Sequence, residues 1–142
     1  MRIVPVETQD LPQVKKLLEE VNLSLAGIEE HFQHFLKLMV DGELVAVAGL
    51  ELYSTIGLLR SIAVIPEYRH SGLGRGLIRA MINKARALEL THLYLLTETA
   101  AEYFRQFGFR PIGRRDVHPA IEKSEQFRSA SLEDAVCMHL KL

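Results

Sequence analysis

Three stretches of this 142-residue sequence predict an α+β sandwich: a single domain with a mostly antiparallel mixed sheet, one parallel pair, and flanking helices. Leu58–Ile65 (LLRSIAVI) is an apolar, β-branched run closed by Pro66, the pattern of a buried strand. Arg75–Leu88 follows, with Leu77, Ile78, Met81, Ile82, Ala85 and Leu88 at helical spacing, and His92–Thr97 (HLYLLT) again reads as a strand. Together they make a strand–helix–strand crossover, the connection that parallel strands need. Asp41-Gly42, between two further apolar strand patterns, is a hairpin signal and supplies the antiparallel part.

The remaining elements follow in order. Met1–Val6 reads as a short strand. Asp10 can cap a helix whose face is Val14, Leu17, Leu18 and Val21, with Pro12 tolerated in its first turn. Gly27–Gln33 reads as a second, short helix. Phe35–Val40 and Leu44–Tyr53 are the hairpin strands, and Ser54-Thr55-Ile56-Gly57 turns the chain into Leu58–Ile65. On that strand, alternation puts Leu58, Arg60, Ile62 and Val64 on one face and Leu59, Ser61, Ala63 and Ile65 on the other. Thr99–Gln106 is a short helix ending at Gly108, and Phe109–Ile112 leads back into a strand. Asp116–Asp134 has little clear periodicity, and Ala135–Leu142 (AVCMHLKL) is a terminal strand that can complete its own sheet or pair across a homodimer. Phe32, Phe35, Leu77 and Met81 are expected in the core, as is Cys137.

Composition sets the bounds. The length suits one domain spanning 1–142, with a ligand-binding core near 58–112 and a lid and strand near 113–142. A net charge of −1, with 48% hydrophobic and 25% charged residues, offers no electrostatic case for nucleic acid or an anionic membrane. No apolar run approaches the roughly 20 residues that span a bilayer, and no signal-peptide pattern opens the chain, so a cytoplasmic location is expected. One cysteine forbids an internal disulfide.

The segment Arg69-His70-Ser71-Gly72-Leu73-Gly74 lies between the strand and the helix. A helix N-terminus presents unpaired N–H groups and about half a positive charge, which together seat an anion. Gly72 and Gly74 let the backbone approach a phosphate, while Arg69, Arg75 and His70 add positive charge. The spacing is not a dinucleotide fingerprint, whose third glycine would fall at Leu77, and no Gly-Lys-Ser/Thr follows for a P-loop. A pyrophosphate is the expected ligand.

With the second half of the chain, this segment resembles the GNAT superfamily of N-acetyltransferases. The matching residues are Val64, Pro66, Arg69, Gly72 and Gly74, then Ala101, Phe104, Gly108 and Phe109, and the resemblance covers most of residues 1–115. It implies acetyl-CoA as co-substrate, with no metal, and direct attack of an amine on the thioester. It also implies that the parallel pair splays apart, with the pantetheine arm in the gap along Ile62, Ala63 and Val64. The resemblance further places the donor against Arg69, His70, Ser71, Gly72, Leu73, Gly74 and Arg75, and against Phe104 and Phe107.

The family's frequent acid and base do not carry over. The tyrosine position four before the Gly-Phe glycine is Phe104, and the usual motif-strand glutamate position is Leu58. Tyr103 is adjacent, but one helical step turns it by about 100°. Candidate catalytic groups are therefore Glu51, Tyr103 and Glu98. For the acceptor, a small-molecule amine, the candidates are Arg60, Glu51 and His118; Arg128 is expected beside His118 in a lid, with a plain surface loop as the alternative. Arg60 needs an anionic partner in its apolar run, either an oxyanion of the acceptor or Glu51 in a structural ion pair. Deprotonating a lysine-type amine at pH 7 costs about 4.6 kcal/mol and an α-amine about 1.4, so a weak base favours an amino-acid-like acceptor. His31 and His34 lack a third partner for a metal.

A narrower resemblance rests on Ala26–Glu30, Leu58–Val64, Leu93–Thr97, Ser124–Phe127 and Ala135–Met138. These segments are similar to N-acetyltransferases associated with arsenic-resistance operons. That implies arsinothricin, phosphinothricin or a glutamate-like amino acid as acceptor, and a role in detoxification. Two other readings stay open: a protein lysine or N-terminal acetyltransferase, and a non-catalytic acetyl-CoA sensor that kept Arg69–Gly74 and lost catalysis at Phe104 and Leu58.

Overall fold

A computed structural model describes residues 1–129 and 135–142. Among these, seven strands form one sheet: β1 (Arg2–Pro5), β2 (Leu36–Val40), β3 (Glu43–Tyr53), β4 (Ile56–Val64), β5 (His92–Thr97), β6 (Arg110–Pro111) and β7 (Val136–Lys141). Their order is β1-β2-β3-β4-β5-β7-β6, and every neighbouring pair is antiparallel except β4–β5. The expected mixed sheet is present. The terminal strand completes this sheet by pairing with β5 from Thr97↔Val136 to His92↔Lys141.

The parallel pair is short. β4 meets β5 only at Ile56↔His92, Gly57↔Leu93 and Leu58↔Tyr94, after which the strands part. Past Leu58, the β5-facing edge of β4 has no strand partner among the described residues, so the expected splay is there.

Two helices pack behind that gap: α3 (Leu73–Ala87) and α4 (Ala101–Arg105). Leu77, Ile78, Met81, Ile82 and Ala85 pack with Leu59, Leu93, Leu95, Phe104 and Phe109 in the larger core. The other face of the sheet carries α1 (Leu11–Glu20) and α2 (Ile28–His31), where Val14, Leu17, Leu18 and Ile28 pack with Phe35, Val47 and Ala63. The far end of the Phe35 ring covers Gly49, where any Cβ would stand 2.3 Å from Cζ. A strand glycine is required there by close approach.

Alternation on β4 fails at one place. The register runs Val47↔Ala63 and then Gly49↔Arg60, so Ser61 and Ile62 together oppose Ala48, and Ser61 has a φ of 57°. This is a β-bulge, which re-aims the residues after it. Ile62 and Val64 consequently join Leu59 on the α3 side, and Ala63 joins the α1 side. The single face expected for Leu58, Arg60, Ile62 and Val64 does not exist. A period-2 reading breaks at an inserted residue, and no glycine announced it.

Other boundaries moved for local reasons. The turn before β4 is Ser54-Thr55 alone, with Ser54 at φ 59°, and Ile56 and Gly57 already belong to the strand. Asp10 precedes α1 but makes no cap bond to it; its carboxylate accepts from Glu7 N–H at 2.7 Å and from Lys37 Nζ at 2.7 Å. Gly27–Gln33 divides into α2 and a 3-10 turn, Phe32–His34. The aperiodic stretch after residue 112 holds a 3-10 turn (Arg114–Asp116) and two one-turn helices, α5 (Pro119–Glu122) and α6 (Glu125–Ser129). The part of the expected lid at 130–134 lies outside the described residues. α5 and α6 lie over β4 and β7, with Val117, Ile121 and Phe127 packed on Leu58 and Cys137. Among the described residues, no helix is long and apolar enough to cross a membrane.

Candidate active site

The glycine turn and the start of α3 form the first part of the site. α3 begins at Leu73, two residues before the expected Arg75, so Gly72 is its N-cap and the glycines lie in its first turn. Gly72 has φ 85° with open space where a Cβ would point, and His70 is also left-handed at φ 62°. The backbone N–H groups of Gly72 to Arg75 precede the first intrahelical donor and face outward for an anion. Arg69 Nε donates to Val64 O at 3.1 Å, and the Ser71 hydroxyl donates to Tyr68 O; these bonds tie the turn to the end of β4. Arg75 lies over the rings of Tyr103 and Phe107 at 6.0 and 5.8 Å. The residues present therefore fit a pyrophosphate: bare backbone donors, two arginines and no Cβ in the way.

Tyr103 belongs to this part of the site. Its hydroxyl is 3.7 Å from the point where a Gly74 Cβ would stand, and Val64 Cγ2 is 3.6 Å from that same point. The residue sits at the mouth of the splay. Phe104 turns the other way and is buried in the core, in edge contact with Phe109. Phe107 is half-buried beside Arg75.

A second region lies on the opposite face, over the end of β3. Glu51 and Arg60, only 1% and 2% exposed, form an ion pair with Arg60 Nη1 2.6 Å from Glu51 Oε2. Arg60 also donates to Ala26 O, to Ser24 O at 2.9 Å and to Ser61 Oγ at 2.9 Å. The guanidinium is thus consumed in tying β4 to β3 and to the loop before α2. The ion pair is the alternative realised, and Arg60 is not exposed as a fork for the acceptor. The other Glu51 oxygen, Oε1, accepts from the Tyr53 hydroxyl. Burial, then the hydrogen bond and charge of Glu51, push the Tyr53 phenol well above its ordinary value, so it remains a donor.

Glu51 and Tyr53 form the floor of a cavity of about 490 Å³, a size usual for small-molecule sites. His31 and Glu30 of α2 line it, together with Lys123, just past α5, and Glu125 and Arg128 of α6. His31 Nε2 is 3.6 Å from Glu51 Oε1, an electrostatic contact rather than a hydrogen bond. Ser124 joins the two short helices: its hydroxyl donates to Ile121 O at 2.7 Å and accepts from Phe127 N–H at 3.1 Å.

Of the expected site residues, Glu51 and Arg128 line the cavity. His118 does not: exposed, it caps α5, with Nδ1 accepting the Ala120 N–H at 3.1 Å. Glu98 is exposed just beyond β5 and does not line the cavity. Tyr53, His31, Glu30 and Lys123 were missed. Two-residue alternation from Glu51 could have found Tyr53; for Lys123, which follows a helix of a single turn, no sequence signal exists. Among the described residues, no group of three or more His, Cys, Asp or Glu side chains could hold a metal ion.

Comparison with known proteins gives this geometry a family. The acetyltransferase (GNAT) family model matches residues 6–109, more than half of the chain, and the chain belongs to that family. It is 36% identical over 95 residues to an amino-acid acetyltransferase of Pseudomonas putida, a match covering 66% of this chain and 22% of that protein. An amino-acid acetyltransferase of Azotobacter vinelandii is 39% identical over 95 residues, with the same coverage of 66% and 22%. The matched segment is therefore about a fifth of these relatives' length. N-acetylglutamate synthase from Neisseria gonorrhoeae, solved with coenzyme A and N-acetyl-glutamate, superposes with a TM-score of 0.86 at 25% identity, covering 99% of this chain and 35% of that one. Rv2747 from Mycobacterium tuberculosis, solved with CoA and NLQ, superposes at 0.85 with 23% identity over 100% of this chain and 99% of that one, a likeness of fold.

Proposed function

We propose that this chain is a single-domain, acetyl-CoA-dependent N-acetyltransferase whose acceptor is a small α-amino acid with an anionic side chain. One observation carries the reading. The cavity over β3 is lined by the carboxylates of Glu30, Glu51 and Glu125 and by the cations Lys123 and Arg128, groups complementary to an ammonium and to carboxylates. The amino-acid acetyltransferases among its relatives support the acceptor class, as does the N-acetyl-glutamate held by the Neisseria protein. Arsinothricin and phosphinothricin, glutamate analogues with an oxyanionic side chain, belong to the same proposed class. The resemblance to arsenic-resistance acetyltransferases points to them, and detoxification would then be the role.

Acetyl-CoA supplies the acetyl group as a thioester for direct transfer to the amine. The Gly72–Arg75 N–H groups, Arg69 and Arg75 hold its pyrophosphate, with His70, Ser71 and Leu73 shaping the turn and Phe107 bracing Arg75. Ile62, Ala63 and Val64 offer the unpaired edge of β4 to the pantetheine arm, and an N–H of the Ala63–Val64 region polarises the acetyl carbonyl. Tyr103, at the mouth of the splay, returns a proton to the leaving sulfur. Glu51 anchors the acceptor ammonium, and Lys123 and Arg128 hold its carboxylates. Arg60 acts by positioning Glu51, and holding both reactants across the β4 bulge accounts for much of the rate.

Mass-spectrometric detection of acetyl transfer to a mixed amine panel tests the reading. The panel holds glutamate, phosphinothricin, arsinothricin, neutral amino acids, polyamines and lysine peptides. Product confined to amino acids with anionic side chains is expected. Preferential labelling of lysine peptides, or bound acetyl-CoA with no product, would overturn it in favour of protein modification or sensing.

A further inference from the structure

We propose that His31 is the group that takes the proton from the acceptor's ammonium before attack, an assignment that rests on the amino-acid acetyltransferase reading. Attack requires a neutral amine, and the cavity contains few side chains able to accept a proton near neutrality. Glu51 is the obvious carboxylate, but both its oxygens are engaged: Oε2 by Arg60 and Oε1 by the Tyr53 hydroxyl. Tyr53 is held as a donor. Lys123 and Arg128 are cations. Glu30 and Glu125 also line the cavity, both exposed to solvent, and a carboxylate is a weaker base than an imidazole. The imidazole of His31 remains, a nitrogen base in the lining of the cavity.

Its place fits the task. His31 lines the cavity, its side chain 17% exposed, and its ring packs against Tyr53 with centroids 5.7 Å apart. Glu51 Oε1 lies 3.6 Å from Nε2. The other groups facing it are Glu30 on its own helix and His34 in the following turn, with Lys123, Glu125 and Arg128 across the cavity and Arg60 behind Glu51. Position 31 is fixed from two sides: α2 begins on Gly27 at φ 70°, and Ile28 is fully buried in the α1 core.

The step balances as follows. The imidazole takes one proton from the ammonium. The freed nitrogen pair bonds to the acetyl carbon, and the carbon–sulfur bond breaks with its pair on sulfur. The nitrogen then gives its second proton to that sulfur, through Tyr103 or water, and the imidazolium releases its proton to solvent. One ammonium and one thioester yield one amide, one thiol and one proton.

The test uses L-glutamate as acceptor and follows kcat/KM from pH 5 to 9 for the wild type and for His31→Asn. A fall of about 10²-fold or more at pH 7 is expected, with loss of the limb in the histidine range and an unchanged KM for acetyl-CoA. Added imidazole should restore part of the rate in His31→Gly. A folded His31→Asn with the wild-type rate and pH profile would overturn the assignment while leaving the acetyltransferase reading intact. A wild type that acetylates no amino acid would remove that reading and the assignment with it. Should both variants fail to fold, the His31 ring proton in the wild type must shift in NMR on adding L-glutamate with coenzyme A; no shift overturns the proposal.

Discussion

The turn before α3 and the cavity over β3 are built by opposite means. The turn is made of backbone: N–H groups at a helix start, a left-handed Gly72 without a Cβ, and arginines at its rim. The cavity is made of side chains from three separated segments, α2, β3 and α5–α6, and is anchored by an ion pair almost wholly out of solvent. A backbone site serves any chain that brings a strand, a glycine turn and a helix together, so the donor can stay constant across a family. A side-chain site is respecified by a few substitutions, so under the proposed function acceptor choice would be written here.

The largest expected difference between the two regions is in stability. Arg60→Ala strands the Glu51 carboxylate in the interior and should cost about 3–5 kcal/mol, read by denaturant unfolding. If Arg60→Ala instead unfolded like the wild type, the cavity floor would not be the rigid base described. Next, Lys123→Ala and Arg128→Ala should each raise KM for L-glutamate on the order of tenfold to a hundredfold, the worth of a charged hydrogen bond, and leave KM for acetyl-CoA alone. A parallel rise in both constants would erase the division of labour. Arg75→Ala, at an exposed rim where solvent screens charge, should raise KM for acetyl-CoA by less than about tenfold and leave the acceptor constant unchanged.

The smallest effect belongs to Cys137, which lies beneath α5 and takes part in neither region. Burial pushes its thiol up to about 11, so the native protein should resist alkylation at pH 8 and react once unfolded. Cys137→Ser should retain most activity. Rapid labelling of the native thiol would mean that α5 and α6 lift off the sheet.

The same contrast explains what could be read from the sequence. The turn and its flanks were legible because β4, α3 and β5 are long enough to show a period, and Asp41-Gly42 names its own hairpin. The bulge at Ser61 was not, because a serine at positive φ leaves no mark in a pattern of apolar residues, and it misassigned the faces of Ile62 and Val64. Glu51 and Arg60 were legible as a charged pair in apolar runs, which must find partners. His118 misled because a histidine before proline in an aperiodic stretch looks available, whereas its ring is spent on capping α5. Lys123 and Arg128 reach the cavity from a segment of one-turn helices, too short for any periodic signal.

The most direct measurement of the division between the two sites is a crystal structure with coenzyme A and N-acetyl-L-glutamate. The account predicts the pyrophosphate on the Gly72–Arg75 turn and the pantetheine arm in the gap beyond Leu58. It places the amino acid in the cavity between His31 and Arg128, with its side-chain carboxylate on Lys123 or Arg128. Coenzyme A in that gap with the amino acid bound elsewhere, or with the cavity left empty, would contradict it.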